Sequence, residues 1–162
     1  MTTSHLEVIL GDLRATEKLG SALAFAVTNG GVILLEGPLG SGKTTLVQAI
    51  CRQLGVTDSV TSPTYDLLHS YYLPHLTVHH VDGYRLLDPR EWDVLDLPAP
   101  PTFKEVILAE WGAVLQEQYP DRLDIQLICE GATEVRHAQL RAIGPEWMRK
   151  LDAIAEGWRH GV

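Results

Sequence analysis

Residues Gly37-Pro38-Leu39-Gly40-Ser41-Gly42-Lys43-Thr44 spell G-x-x-x-x-G-K-T. This octet commits the chain to one local geometry: a strand running in, a glycine-rich turn, and a helix leading out. The flanks agree with it. Val32-Ile33-Leu34-Leu35 reads as a buried strand, and residues 45–54 read as a helix stopped by Gly55. Glycines let backbone N–H groups close around phosphate, and the helix N-terminus adds its dipole. Lys43 is placed to reach the β- and γ-phosphates, and Thr44 to put its hydroxyl on a Mg²⁺ ion. A plain Gly-rich turn between strand and helix is the competing reading. The ordered flanks favour a nucleoside triphosphate site.

The rest of the chain predicts one α/β domain over residues 1–162, since this length supports one core and not two. Residues 6–10 predict a short strand. Asp12 then predicts the N-cap of a helix to about Thr28, with Leu19, Leu23, Ala26 and Val27 on its apolar face. Further strands are expected at 66–72, at 76–81 ending on Asp82, and at 106–109 ending on Glu110-Trp111. Short helices are expected at 89–94 and 112–118. Residues 124–129 and 136–143 read as a hairpin-like strand pair, and Pro145 opens a last helix to about Trp158. The expected fold is a three-layer P-loop NTPase-like sandwich, its mixed sheet parallel at the centre and antiparallel toward the edges.

A net charge of −8 argues against a protein that grips nucleic acid unaided, because phosphate contacts need a basic face. Cys51 and Cys129 fit no disulfide or zinc spacing and read as two buried free thiols. No basic-then-apolar leader and no run of membrane-spanning length is seen, so the expectation is a soluble, cytoplasmic protein without membrane attachment.

Hydrolysis needs more than a phosphate loop. Asp82 ends an apolar strand, where open α/β sheets place their ligands, and can hold a metal-bound water or the Thr44 hydroxyl. Asp82-Gly83 is equally a common turn pair. Glu110 repeats the pattern at another strand end, either in the metal shell or as a solvated carboxylate. Thr61, Ser62 and Thr64 stand where a γ-phosphate switch is often found, in a segment that is also good turn chemistry. Adjacent His79 and His80 point to opposite strand faces, which disfavours a metal site. The four tryptophans read as packing.

Four segments in order resemble the TsaE (formerly YjeE) family: Gly37 to Thr45, Thr61-Ser62-Pro63-Thr64-Tyr65, His80-Val81-Asp82-Gly83-Tyr84-Arg85, and Glu110-Trp111. The resemblance spans nearly the whole chain. It implies an ATPase subunit of the bacterial machinery that makes threonylcarbamoyladenosine at adenosine 37 of tRNAs reading ANN codons. ATP and Mg²⁺ are the implied cofactors, TsaB and TsaD the implied partners, and tRNA is met only through them. Nucleotide contacts are implied for Asp12, Gly37, Gly40, Ser41, Gly42, Lys43, Thr44 and Thr45. Thr44, Glu110 and Asp82 are implied around the metal, with Thr64 near the γ-phosphate; Asp82, Glu110, Lys43 and Thr64 are thus the expected catalytic set. Which of Asp82 and Glu110 serves as base stays open. Gly83 stands where the family usually has Leu, which predicts a looser chain after Asp82. A small-molecule kinase on the same core is the alternative. Arg85 and Arg90 are the only basic residues between Asp82 and the Pro-rich loop, too few for an Arg-bearing lid. A binding-only ATP switch is the third reading.

Overall fold

A computed structural model of the chain describes residues 3–61, 63, 66–86, 88–99 and 103–159. The strands are β1 (Thr3–Leu10), β2 (Gly31–Glu36), β3 (Leu68–Tyr72), β4 (Thr77–Asp82), β5 (Glu105–Glu110), β6 (Arg122–Cys129) and β7 (Arg136–Ile143). The helices are α1 (Leu13–Ala26), α2 (Lys43–Leu54), α3 (Pro89–Asp93) and α4 (Pro145–Arg159). Among the described residues the strands form one sheet in the order β1-β7-β6-β2-β5-β4-β3. Strands β6, β2, β5 and β4 run parallel, β3 is antiparallel at one edge, and β7 is antiparallel between β6 and β1. The expected mixed sheet, parallel at its centre, is present.

Period-two alternation assigns the faces. Ile33 and Leu35 of β2 turn toward one core with Leu19, Leu23, Leu46, Ile50 and Trp147, under α1, α2 and α4. Val32 and Leu34 turn toward a second core with Val81, Trp92, Ile107, Leu115 and Tyr119. A strand buried on both faces needs an unbroken apolar run, and 32–35 supplies it. Over β6, β7 and β1 the second face is bare: Gln126, Gln139, Arg141, His5, Glu7 and Ile9 are exposed. The sandwich therefore has three layers over β2, β5 and β4 and two beyond.

Local chemistry sets the helix ends. Asp12 is extended (φ −155°) and accepts from the Ala15 N–H, so it caps α1. Gly55 closes α2 in the left-handed conformation at φ 104°. The helix expected over 112–118 is instead one 3-10 turn, Ala113–Leu115. Its i→i+3 bonds, Leu115 N–H to Gly112 O and Gln116 N–H to Ala113 O, hold Leu115 against the second core. The expected pair of buried thiols is also half right. Cys51 is fully enclosed on α2 and burial pushes its thiol up to about 12. Cys129 is half-buried, because β6 ends there at the rim of the sheet. No described helix is long and apolar enough to cross a membrane.

Helices α1 and α2 meet at Gly20, where an added Cβ would lie 2.5 Å from Ala49 Cβ and 3.1 Å from its backbone carbon. Two effects oppose each other on replacing Gly20 by Ala. Helix propensity favours Ala by about 1 kcal/mol, while overpacking costs about 1–3 kcal/mol. Overpacking should win, because the clash includes backbone. Gly20→Ala is expected to lower the urea midpoint; an unchanged or raised midpoint would mean the helices separate at little cost.

Candidate phosphate and metal site

Parallel strands align their C-terminal ends, and this alignment builds the site. Glu110 faces Leu35 and Asp82 across its two pairings, so the ends of β2, β5 and β4 lie side by side. The loop 37–42 leaves β2 at that edge and enters α2. Gly37 must be glycine: a Cβ there would lie 2.7 Å from Ser41 Oγ and 2.8 Å from Leu127 O. Gly42 is the N-cap of α2 at φ 101°, left-handed backbone that favours glycine. With no side chain there to accept, the first-turn amides of α2 face a cleft of about 300 Å³. Leu39 to Thr44, Asp82, Tyr84, Arg85, Glu110 and Trp111 line it.

Lys43 is 5% exposed. Its ammonium donates to Gly37 O at 2.6 Å, Pro38 O at 3.1 Å and Ser41 Oγ at 3.4 Å, and lies 4.2 Å from the Trp111 ring centroid. Burial holds its pKa below the usual lysine range, with Glu110, Glu36 and Asp82 pulling the other way. Thr44 Oγ1 donates to Glu110 Oε1 at 2.7 Å. The other Glu110 oxygen, Oε2, lies 2.6 Å from His80 Nε2, and both side chains are buried. Asp82 is 7% exposed and accepts from the Tyr84 N–H at 3.0 Å, so the turn reading and the cleft placement hold together.

Of the residues singled out in the sequence, Gly40, Ser41, Gly42, Lys43, Thr44, Asp82 and Glu110 meet in this cleft, while Gly37 lies outside the lining and accepts from Lys43 through its carbonyl. Thr45 is exposed on the first turn of α2, outside the lining. Asp12 lies at the same sheet edge, after β1, and its observed partner is the cap of α1. Ser62, Thr64 and Tyr65 fall outside the described residues, so the switch-like segment has no geometry here.

Three features escaped the sequence reading. His80 reaches Glu110 because β4 and β5 pair with His80 beside Leu108, two residues short of the carboxylate. Trp111, taken as packing, turns left-handed at φ 58°, and its ring covers Lys43 and leans on Tyr84 at 5.2 Å. Gly83 does not loosen the chain. The buried Trp92 indole of α3 fills its missing side chain, and a Cβ would lie 2.0 Å from that ring. The signal for this was the coincidence of an absent side chain and a Trp nine residues later.

The donors suit a hard cation. One hydroxyl and two carboxylates are oxygen ligands, and Mg²⁺ characteristically takes one or two carboxylates plus waters and substrate phosphates. Among the described residues no group of three or more His, Cys, Asp or Glu could hold a metal ion by itself. A metal here would share its shell with phosphate. His79, the neighbour of His80, is spent on Ser70 and Glu105.

The family model described as Threonylcarbamoyl adenosine biosynthesis protein TsaE matches residues 10–138, from the end of β1 to the start of β7. The chain belongs to the TsaE family. A TsaE protein of Mycobacterium leprae is 38% identical over 90% of this chain and 92% of its own length. A TsaE protein of Synechocystis is 42% identical over 53% of this chain; the match spans about half, 55%, of that relative. The crystal structure of YdiB from Bacillus subtilis superposes with a TM-score of 0.74 at 25% identity, covering 100% of this chain and 99% of that one. Its fold is the mixed α/β sandwich described above.

Glu36, which enters the TsaE loop, carries a testable charge. Burial raises its pKa, more than the Ala113 N–H and Lys43 lower it. A raised carboxyl pKa means the folded state holds its proton longer than the unfolded chain, so this group costs stability as pH rises past the unfolded value. Glu36→Gln keeps an acceptor for the Ala113 N–H. Its urea midpoint relative to wild type is expected to climb from about pH 4 to pH 7; a flat or falling difference would contradict the assignment.

Proposed function

We propose that this chain is a Mg²⁺-dependent P-loop ATPase serving threonylcarbamoyl modification of adenosine 37 in tRNA, acting with TsaB and TsaD as a single domain. The supporting observation is the Thr44–Glu110 bond at 2.7 Å. It ties the head of the phosphate-loop helix to the end of a neighbouring parallel strand, inside the cleft that Lys43 enters. The relatives named for threonylcarbamoyladenosine biosynthesis carry the tRNA part of the reading.

The first-turn amides of α2 and the Lys43 ammonium receive the β- and γ-phosphates, Lys43 exchanging its bonds to Gly37 O and Pro38 O for phosphoryl oxygens. Mg²⁺, when bound, supplies positive charge that neutralises the phosphoryl oxygens, and Thr44, Glu110 and Asp82 are the residues that would hold it. Thr44 gives its only proton to Glu110, so its lone pairs stay available to the cleft. Both Glu110 oxygens are already engaged. That division leaves Asp82 as the proposed orienter of the attacking water. Thr64 is the proposed γ-phosphate sensor, and Asp12 and Thr45 the proposed outer nucleotide contacts. An acidic chain meets tRNA through its partners.

The kinase alternative needs an Arg-bearing lid, and of its two candidate arginines only Arg85 lines the cleft. Arg90 is spent on Asp88 within its own turn and is 87% exposed, so it supplies no lid. ATP hydrolysis by the purified protein, alone and with TsaB plus TsaD, tests the proposal. Turnover is expected to be slow alone and faster with partners, and Lys43→Ala should lower it by about 100-fold or more. Background rates with and without partners, together with unaltered tRNA modification after depletion of the chain, would refute it.

A further inference from the structure

His80 is the most deeply buried polar side chain at the sheet edge, at 0% exposure, and the phosphate-loop chemistry above does not use it. Its Nε2 lies 2.6 Å from Glu110 Oε2, and its Nδ1 is buried without a hydrogen-bond partner among the described residues. Those facts choose the tautomer. A carboxylate oxygen only accepts, so Nε2 carries the hydrogen, and the unpartnered Nδ1 is best left as a bare lone pair. The neighbours Val78 and Val81 on the same strand are apolar and equally buried, so His80 is the position of β4 there that brings a hydrogen-bonding group into the interior.

We propose that His80 is a positioning residue that orders the metal side of the cleft through Glu110. The role rests on the nucleotide reading given above. The chain of contacts runs in one direction. His80 donates to Glu110 Oε2, which turns Oε1 toward α2, and Oε1 then takes the Thr44 proton. Thr44 is left with its lone pairs pointing into the cleft, the orientation a hard cation requires. Two donors on opposite oxygens fix the carboxylate plane; with one donor it can rotate toward Asp82, its direct neighbour across the β4–β5 pairing. Register explains why residue 80 does this. His80 and Asp82 share one face of β4 and flank Glu110, one diagonally and one directly. Asp82 repels the carboxylate, and His80 holds it.

Two substitutions separate positioning from packing. Gln places an amide N–H near the site of histidine Nε2, so His80→Gln keeps the donor; His80→Leu fills the space and removes it. The probe is a fluorescent ADP analogue, bound to the purified protein first in EDTA and then across a MgCl₂ titration. His80→Leu is expected to leave binding in EDTA unchanged and to raise the Mg²⁺ concentration at half effect by about tenfold or more. His80→Gln should stay near wild type. A second readout needs no nucleotide: a slowly exchanging His80 Nε2–H resonance in the ¹⁵N-imidazole spectrum, lost in Glu110→Ala. Equal shifts of the EDTA and Mg²⁺ curves in His80→Leu, or a His80→Gln that behaves like His80→Leu, would overturn the role. So would absence of the Nε2–H resonance from wild type. A wild type that binds no nucleotide at all would refute the ATPase reading, and the metal-ordering role with it. Mg²⁺-enhanced binding that His80→Leu leaves intact would refute the role alone.

Discussion

Everything at the cleft depends on four strands running the same way. Because β6, β2, β5 and β4 are parallel, their C-terminal ends share one edge, and residues far apart in sequence arrive there together. Glu110 comes within 2.7 Å of Thr44 although 66 residues separate them. A parallel sheet requires crossover connections, and α2 is the crossover that leaves the phosphate loop. The helix whose N-terminus faces the cleft is therefore the same element that buries Leu46 and Ile50 against β2. Packing and function act on one helix, and the α1–α2 approach at Gly20 holds that helix from behind.

Electrostatics at the edge follow from burial. A chain of net charge −8 encloses one ammonium, Lys43, beside Glu110, Glu36 and Asp82. Burying a cation is costly; the cost is offset here by hydrogen bonds from Lys43 to Gly37 O, Pro38 O and Ser41 Oγ and by the field of the three carboxylates. Trp111 completes the enclosure with its ring face, a contact made possible by a left-handed backbone that non-glycine residues adopt at a cost of about 1–3 kcal/mol. Strain of that kind persists where surrounding structure dictates it. Here the Trp111 N–H is tied to Leu35 O at 2.8 Å, which fixes the turn.

Local features were legible in the sequence and register was not. Glycine spacing announced the loop, the apolar run 32–35 announced a strand buried on both sides, and Asp12 announced a cap. Each is decided within a few residues. His80 acquires its partner only when β4 and β5 choose their pairing, and two histidines side by side gave no sign which would face Glu110. Trp111 and Lys43 meet across 68 residues. The 3-10 turn at 113–115 looked helical because its bonds differ from a helix by a single residue of reach. Gly83 looked like slack until Trp92 was found filling it. The TsaE motifs, by contrast, were readable as text, and three of the four lie where the sheet edge gathers Lys43, Thr44, Asp82 and Glu110.

The central claim is that phosphate and a hard cation share the edge between α2 and β5. The most direct measurement is a crystal structure with a non-hydrolysable ATP analogue and Mn²⁺, whose anomalous signal locates the metal. Phosphates are expected along the amides of residues 40–44, with the metal at bonding distance from Thr44 Oγ1 and Glu110 still held by His80. Nucleotide bound elsewhere on the molecule, or a metal remote from Thr44, would contradict the account.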